Sequence, residues 1–268
     1  MFDCHVHSNF SFDSNLKPEA ACDKAIELGL DGIAFVDHLD LDFPDSQVNY
    51  TIDFDVYSKY MDSLCLKYKK QLEVLKGIEV GIQPHVIEST SSLINKYDFD
   101  FIIASVHIID GLDPYTYSYY QDKTKLQVYS RYLQEILFMI ENYDDFDVTG
   151  HFNFIIRCAV YKDNSMKYND LKDLFDSIFK LLISKGKGFE VNTGSFREKS
   201  NRKNIPDYDI NILKRYKELG GEIVCLGSDA HRIEHIGYKF DYFKDMISSA
   251  GFKYLTHFVR REPVFTKI

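Results

Sequence analysis

Seven short runs of apolar, β-branched or aromatic residues recur along this chain, each followed by an amphipathic segment. The runs are Met1–Val6, Gly32–Asp37, Leu72–Val80, Phe99–Val106, Asp147–Gly150, Gly188–Val191 and Ile223–Gly227. Helical periodicity marks Pro18–Leu28, Asp55–Lys70, Pro84–Asn95, Lys123–Glu141, Asn169–Ser184, Ile210–Leu219 and Phe240–Ala250. Strands joined through helices cross over and pair in parallel, so the alternation predicts an α/β protein with a parallel sheet. At 268 residues the chain is long enough to close such a sheet into a barrel. Pro18 suits a first helical turn, and Gly29, Gly186 and Gly220 follow helices where a left-handed cap is expected. Residues Tyr254–Ile268 read as an extra strand or hairpin closing one end. Nothing resembling a linker interrupts the pattern, so residues 1–268 are expected to form a single domain.

Polar residues fall at one place in these units. His5 and His7 end the first run, His38 the second, Glu79 the third and His107 the fourth; His151 follows the fifth, and Asp229 and His231 follow the seventh. Alternate side chains of a strand share a face, so His5 pairs with His7 and Asp229 with His231. The C-terminal ends of parallel barrel strands share one rim, which brings all of these groups to one pocket. A lone histidine after a strand is ordinarily a hydrogen-bonded loop residue, as His85, His235 and His257 are expected to be. The ordered set instead predicts a metal site. Imidazole with carboxylate and no thiolate suits Zn, Mn or Fe better than a structural zinc site or Ca or Mg.

Composition narrows the partners. A formal charge of −9 leaves no broad basic face for nucleic acid or an anionic membrane surface. Five widely spaced cysteines without a Cys-x-x-Cys fit reduced thiols and a cytoplasmic protein. No signal-like leader and no apolar run of membrane-spanning length is visible. Oligomeric state is left open.

The residues Asp3-x-His5-x-His7, Asp37-His38, Gly77-x-Glu79, Ser105-x-His107, Gly150-His151 and Gly227-Ser228-Asp229-Ala230-His231 together resemble the PHP (polymerase and histidinol phosphatase) family over nearly the whole chain. Val36 stands where the family commonly has Thr, and Asn153 where an Asp is common. The resemblance implies a distorted seven-stranded (β/α)7 TIM-like barrel with a di- or trinuclear metal centre that hydrolyses phosphoesters. Segments Ser105–Gly111, Gly150–Phe152 and Glu190–Arg197 look most like the branch of the family that acts on L-histidinol phosphate in histidine biosynthesis.

Carried over residue by residue, the resemblance implies three divalent transition metals. His5, His7, Glu79 and Asp229 would hold one; Glu79 would bridge to a second, held also by His107 and His151; Asp13, His38 and His231 would hold a third. Asp229, His231 and Glu79 would be central to catalysis, with a hydroxide bridging two metals as the nucleophile. Three divalent cations less three carboxylates and that hydroxide leave a charge of about +2, which matches a phosphate monoester dianion. The leaving alkoxide needs an acid as well, with Asp229 and a metal-held water both open as its source. Arg157 and Arg197 are expected to bind the phosphate, ahead of Arg131, Arg202, Arg215, Arg232, Arg260 and Arg261. For the cationic end of the substrate the loops after His38 and His107 offer Asp40, Asp42, Phe43, Asp45, Asp110, Asp113, Tyr115 and Tyr117, of which Asp42 is the residue chosen. Two other readings stand beside this one: a PHP-type phosphoesterase acting on nucleotides or oligonucleotide ends, and a catalytically idle metal-binding module.

Overall fold

The computed structural model describes residues 1–45, 51–197 and 205–268, so Arg202 lies outside the described residues. The apolar runs become strands β1 (Phe2–Val6), β2 (Gly32–Phe35), β3 (His38–Asp40), β4 (Glu73–Gly81), β5 (Phe101–Ser105), β6 (Val148–Thr149), β7 (Gly188–Asn192) and β8 (Val224–Gly227). The amphipathic segments become α1 (Pro18–Glu27), α2 (Phe54–Tyr68), α3 (Ile87–Ile94), α4 (Lys125–Asn142), α5 (Lys172–Ser184), α6 (Ile210–Glu218) and α7 (Phe240–Ser249). Parallel pairing runs β1-β2-β4-β5-β6-β7-β8, and β3 pairs with β4 further along the same edge. The second strand position is therefore split at Val36–Asp37. The ring closes where Val6 bridges Ala230, with Asp229 N donating to His5 O at 2.7 Å and His7 N to Ala230 O at 2.9 Å. The result is a distorted seven-stranded TIM-like barrel, the architecture expected from the sequence.

Two apolar layers hold it. An inner cluster draws Phe2 and Cys4 of β1 together with Val36, Leu75, Ile103 and Cys225 from around the ring into the barrel interior. An outer layer packs strand residues such as Ile33, Ile102 and Phe189 against helix residues such as Met61, Leu133 and Phe179. Each fully buried side chain of this size contributes roughly 1.5–3 kcal/mol. Gly29, Gly186 and Gly220 do adopt left-handed φ values of 69°, 66° and 95° at helix ends. Thr124 and Gln127 form a capping box on α4.

The tail is the expected hairpin, β9 (Tyr254–Val259) and β10 (Glu262–Lys267), turned through Arg260 and Arg261 at positive φ. Phe258 stacks on Phe101 with ring centres 5.4 Å apart, and Arg261 Nε donates to both Asp147 oxygens at 2.8 and 2.6 Å. These contacts close the barrel at the strand N-termini, opposite the rim that carries the histidines.

One departure from simple alternation matters for that rim. The register of β1 against β2 shifts between Asp3 and Val6. Cys4 belongs to the inner cluster and Val6 to the outer one, while His5 and His7 both reach the centre of the rim. A bulge of this kind re-aims side chains beside a functional site.

Candidate metal centre

Six imidazoles and three carboxylates, all but Asp13 at or just after strand ends, converge on the floor of one cavity. Glu79, at the end of β4, is fully buried at its centre. Its Oε2 lies 3.4 Å from His5 Nε2, 3.5 Å from His7 Nε2 and 3.2 Å from His38 Nδ1. Its Oε1 lies 3.4 Å from His107 Nε2 and 3.1 Å from His151 Nε2, and accepts from Ser105 Oγ at 2.6 Å. The two oxygens of one carboxylate thus face two separate sets of histidines. Asp229 Oδ1 stands 3.8 Å from His5 Nε2 and 3.5 Å from His7 Nε2. Asp13 Oδ2 stands 2.9 Å from His231 Nε2 and 3.8 Å from His38 Nε2.

The histidines are oriented from behind. Nδ1–H of His5 donates to Glu190 Oε1 at 2.7 Å, and Nδ1–H of His107 to Asp40 Oδ1 at 2.7 Å. His231 Nδ1 donates to the Asp229 carbonyl at 3.1 Å. His7 Nδ1 donates to Ser11 Oγ at 3.2 Å, and that hydroxyl donates in turn to Asp37 Oδ1 at 2.6 Å. In each case the outer nitrogen carries the proton, and the Nε2 lone pair is left for the centre. His5 Nε2 and His7 Nε2 then face each other at 2.9 Å, an arrangement of two lone pairs that calls for a cation.

Three groups of side chains bring their donor atoms within 4.8 Å of one another: His5/His7/Asp229, His7/His38/His231 and His38/Glu79/His107. A tetrahedral zinc ion with bonds of about 2.0–2.1 Å separates its donors by roughly 3.3 Å, which the spacings above bracket. Glu79 Oε2, at the centre of the cluster, is buried without a hydrogen-bond partner among the described residues. Orphaned polar atoms at this depth are costly unless an ion satisfies them. The donor set fits a transition metal.

Electrostatics follow from the crowding. Burial alone would raise the Glu79 carboxyl, but His5 and His107 beside it hold it well below the usual carboxylate range. Burial likewise opposes the charge of Asp229, which Arg157 and His5 hold well below that range. Burial works against protonated His5 and His107, but Glu190 and Glu79 lift the first, and Asp40 and Glu79 the second, well above the ordinary imidazole value. His38 is lifted to about 9 against its burial by Asp40, Glu79 and Asp13.

Glycines make room for these supports. A Cβ on Gly227 would lie 2.1 Å from Glu190 Oε1 and 2.6 Å from His5 Cβ, and one on Gly81 would lie 1.7 Å from Asp40 Oδ1. Asp229 itself sits at a φ of 56°, left-handed backbone that L residues adopt at a cost and that recurs at functional sites.

The cavity above encloses about 330 Å³ and is walled by Phe12, Phe43, Asp113, Tyr115, Phe154 and Arg157. Arg157 is ion-paired with Asp229 Oδ2, and it also donates to Ser195 Oγ at 2.9 Å and Asn192 Oδ1 at 3.1 Å. Arg197 does not line the cavity. Its guanidinium donates to the carbonyls of Ser228 and Asp229 at 3.0–3.3 Å and so supports the ligand loop from beneath. Asp42 is also elsewhere: its left-handed backbone turns the side chain outward, where it accepts from His85 Nε2 at 2.8 Å. Asp110 pairs with Arg131, and Tyr117 is 71% exposed. Of the loop acids named from the sequence, Asp40 and Asp113 reach the cavity, and Asp40 is engaged by His107. Glu190, Asp37 and Asp3 were not assigned roles from the sequence. Charges inside otherwise apolar strands were the available signal, since unpaired charges are not buried. Asp3 accepts from Ser228 N and Gly237 N, both at 2.9 Å, which fixes the loop carrying Asp229.

Comparison with known proteins agrees with this geometry. The PHP domain model matches residues 3–194. The probable histidinol-phosphatase of Clostridium acetobutylicum is 32% identical over 253 residues, 94% of this chain and 95% of that protein. The histidinol-phosphatase of Lactococcus lactis is 30% identical over 257 residues, 96% of this chain and 93% of that one. The crystal structure of a histidinol phosphate phosphatase from Lactococcus lactis, complexed with zinc, L-histidinol and phosphate, is similar with a TM-score of 0.91 and 29% identity, covering 98% of each chain. With its barrel, its rim of strand-end ligands and matches of this extent, the chain belongs to the PHP family.

Proposed function

We propose that this protein is a metal-dependent histidinol-phosphatase, hydrolysing L-histidinol phosphate to L-histidinol and phosphate in histidine biosynthesis. The observation that carries the reading is Glu79, whose two oxygens face two histidine sets beneath a cavity edged by a partly buried arginine. Three metals, among Zn, Mn and Fe, would be held by His5/His7/Glu79/Asp229, by Glu79/His107/His151 and by Asp13/His38/His231, the sets that the family resemblance implies. When bound they lower the pKa of water and neutralise phosphate charge. His231 and Glu79 serve the reaction by holding them.

The chain's own groups do the rest. Arg157 stays protonated beside Asp229 and offers its positive charge to the phosphoryl oxygens from the cavity wall. Asp229, at the cavity beside Arg157, relays to the leaving alkoxide the proton that the attacking water gives up. Arg197 keeps Asp229 in place through its carbonyl and touches no substrate on this reading. Phe12, Phe43, Tyr115 and Phe154 exclude water and provide apolar surface for an imidazole.

The reading treats residues 1–268 as one catalytic unit, since Asp229 and His231 lie beyond the segment that the family model matches. Among the described residues no helix is long and apolar enough to cross a membrane. A cytoplasmic enzyme acting on a small phosphate monoester, rather than on nucleic acid or at a membrane, accords with that and with the net charge of −9. The test is phosphate release by metal-reconstituted protein across a panel of phosphomonoesters. L-Histidinol phosphate should give by far the highest kcat/KM; nucleoside monophosphates hydrolysed equally well would overturn the assignment.

A further inference from the structure

L-Histidinol phosphate carries an ammonium group close to the ester it loses, and the cavity holds one carboxylate that the metal-ligand network does not use. Asp13, Asp40, Glu79 and Asp229 all face histidines of the cluster. Asp113 also lines the cavity but pairs with none of them; its Oδ1 accepts the Tyr115 backbone N–H at 2.7 Å, which leaves its second oxygen as an acceptor. Asp113 is held there by a small device. Ile109 and Leu112 exchange backbone hydrogen bonds of 3.0 and 2.9 Å around Asp110-Gly111, both at positive φ (53° and 73°), a two-residue turn of the hairpin type. Arg131, on the outside of α4 and away from the cavity, grips Asp110 from Nε and Nη2 at 2.7–3.2 Å and also pairs with Glu135.

We propose that Asp113 is the specificity-determining residue that binds the substrate's ammonium group, and that Arg131 is a positioning residue acting through it. The inference rests on the histidinol-phosphatase reading and deepens it. A carboxylate beside the phosphate site repels a plain phosphomonoester and attracts one that brings its own cation, so it selects by charge as well as by contact. Ile109 anchors one side of the turn in the core, and the bidentate Arg131–Asp110 pair fixes its tip.

The experiment compares L-histidinol phosphate with the analogue that lacks only the amine, 3-(imidazol-4-yl)propyl phosphate, at about pH 7.5 where imidazole is mostly neutral. Wild type should prefer the amine-bearing ester. Asp113→Asn should lose about 30-fold in kcat/KM on that ester, mostly in KM, and change less than about threefold on the analogue. Arg131→Met should show the same pattern at about a third of the size, with metal content intact, and the double variant should be no worse than Asp113→Asn alone. Equal losses on both esters, or none, would overturn the role of Asp113. Additive effects of the two variants would overturn the positioning role of Arg131. If wild type hydrolyses neither ester, the histidinol-phosphatase reading falls and this inference with it; if wild type hydrolyses both but Asp113→Asn lowers kcat/KM on the two esters equally, only the inference falls.

Discussion

Glu190→Gln isolates the support behind the metal centre without touching a proposed ligand. Glu190 is 2% exposed and accepts from His5 Nδ1 at 2.7 Å, from His151 N at 3.1 Å and from Asn192 Nδ2 at 3.1 Å to each oxygen. Both oxygens are in use as acceptors. An amide of the same shape can satisfy only one side. If its oxygen keeps His5, its NH₂ faces the His151 and Asn192 N–H donors; if reversed, it faces the His5 donor and drives that ring toward the wrong tautomer. Either way one buried donor loses its partner, which costs roughly 1–3 kcal/mol. The loss of charge also lowers the basicity of His5 as a ligand, and changes at such supporting positions cost about 10–100-fold in metal affinity. The expected result is a zinc affinity lower by about 30-fold, or roughly 2 kcal/mol, for the tightest site. Competition against a chromophoric chelator measures it, with kcat restored at saturating zinc. Zinc affinity within about twofold of wild type would refute the argument that the carboxylate behind His5 tunes the centre.

Arg157→Ala should lower kcat/KM for L-histidinol phosphate by about 2–4 kcal/mol with zinc content retained, because Arg157 lines the cavity and cannot ligate a cation; unchanged kinetics would leave phosphate binding to the metals alone. Arg197→Ala should instead lower kcat with little change in KM, since its contacts are to the carbonyls of the Asp229 loop, and a rise in KM alone would place it on the substrate after all. Asp40 is a carboxyl that burial would raise but that His107 and His38 hold at about 2, so its ionised form stabilises the fold above the ordinary carboxylate value of about 4. That contribution should be lost as pH falls from about 4 toward 2, and in Asp40→Asn protein the acid limb of thermal stability should flatten; an unchanged limb would refute the pairing.

How far the sequence reaches is visible strand by strand. The seven strand positions and the terminal hairpin were readable because apolar runs of fixed length alternate with amphipathic helices. Within them two details were not. Gly32–Asp37 reads as one strand, yet regular pairing with β4 is interrupted at Val36–Asp37, where the Asp37 carboxylate accepts from Ser8 and Ser11. The β1 bulge is silent because it changes register without changing composition. At the site, the nine ligand candidates converge as the family resemblance implied, since strand ends fix direction. The loop residues fared differently. Asp42 and Asp110 both sit at left-handed φ, which sends their side chains away from the cavity to His85 and Arg131. Only the Asp-Gly pair at 110–111 advertised such a turn. Arg197 was legible as an arginine near the rim, but its engagement with backbone carbonyls depends on how Thr193–Phe196 curls.

The last of the remaining predictions concerns Asp13, which lies in a loop rather than at a strand end. Its Oδ2 faces both His231 and His38, and against burial these histidines hold the carboxyl well below its usual range. A turn residue of the composition Ser11-Phe12-Asp13-Ser14-Asn15 has no reason to point at two imidazoles. Asp13→Ala should therefore lose one metal per chain while the groups around Glu79, which reach it through His5, His7, His107 and His151, keep theirs. Activity should fall mainly in kcat, because the substrate's phosphate still meets Arg157 while charge stabilisation of the reacting group weakens. Asp13→His should restore part of both losses, as an imidazole offers a donor at similar reach. Elemental analysis beside steady-state kinetics on the two variants reads the outcome. Full metal content together with full kcat in Asp13→Ala would show that His38 and His231 complete their site without it, and would remove Asp13 from the ligand set.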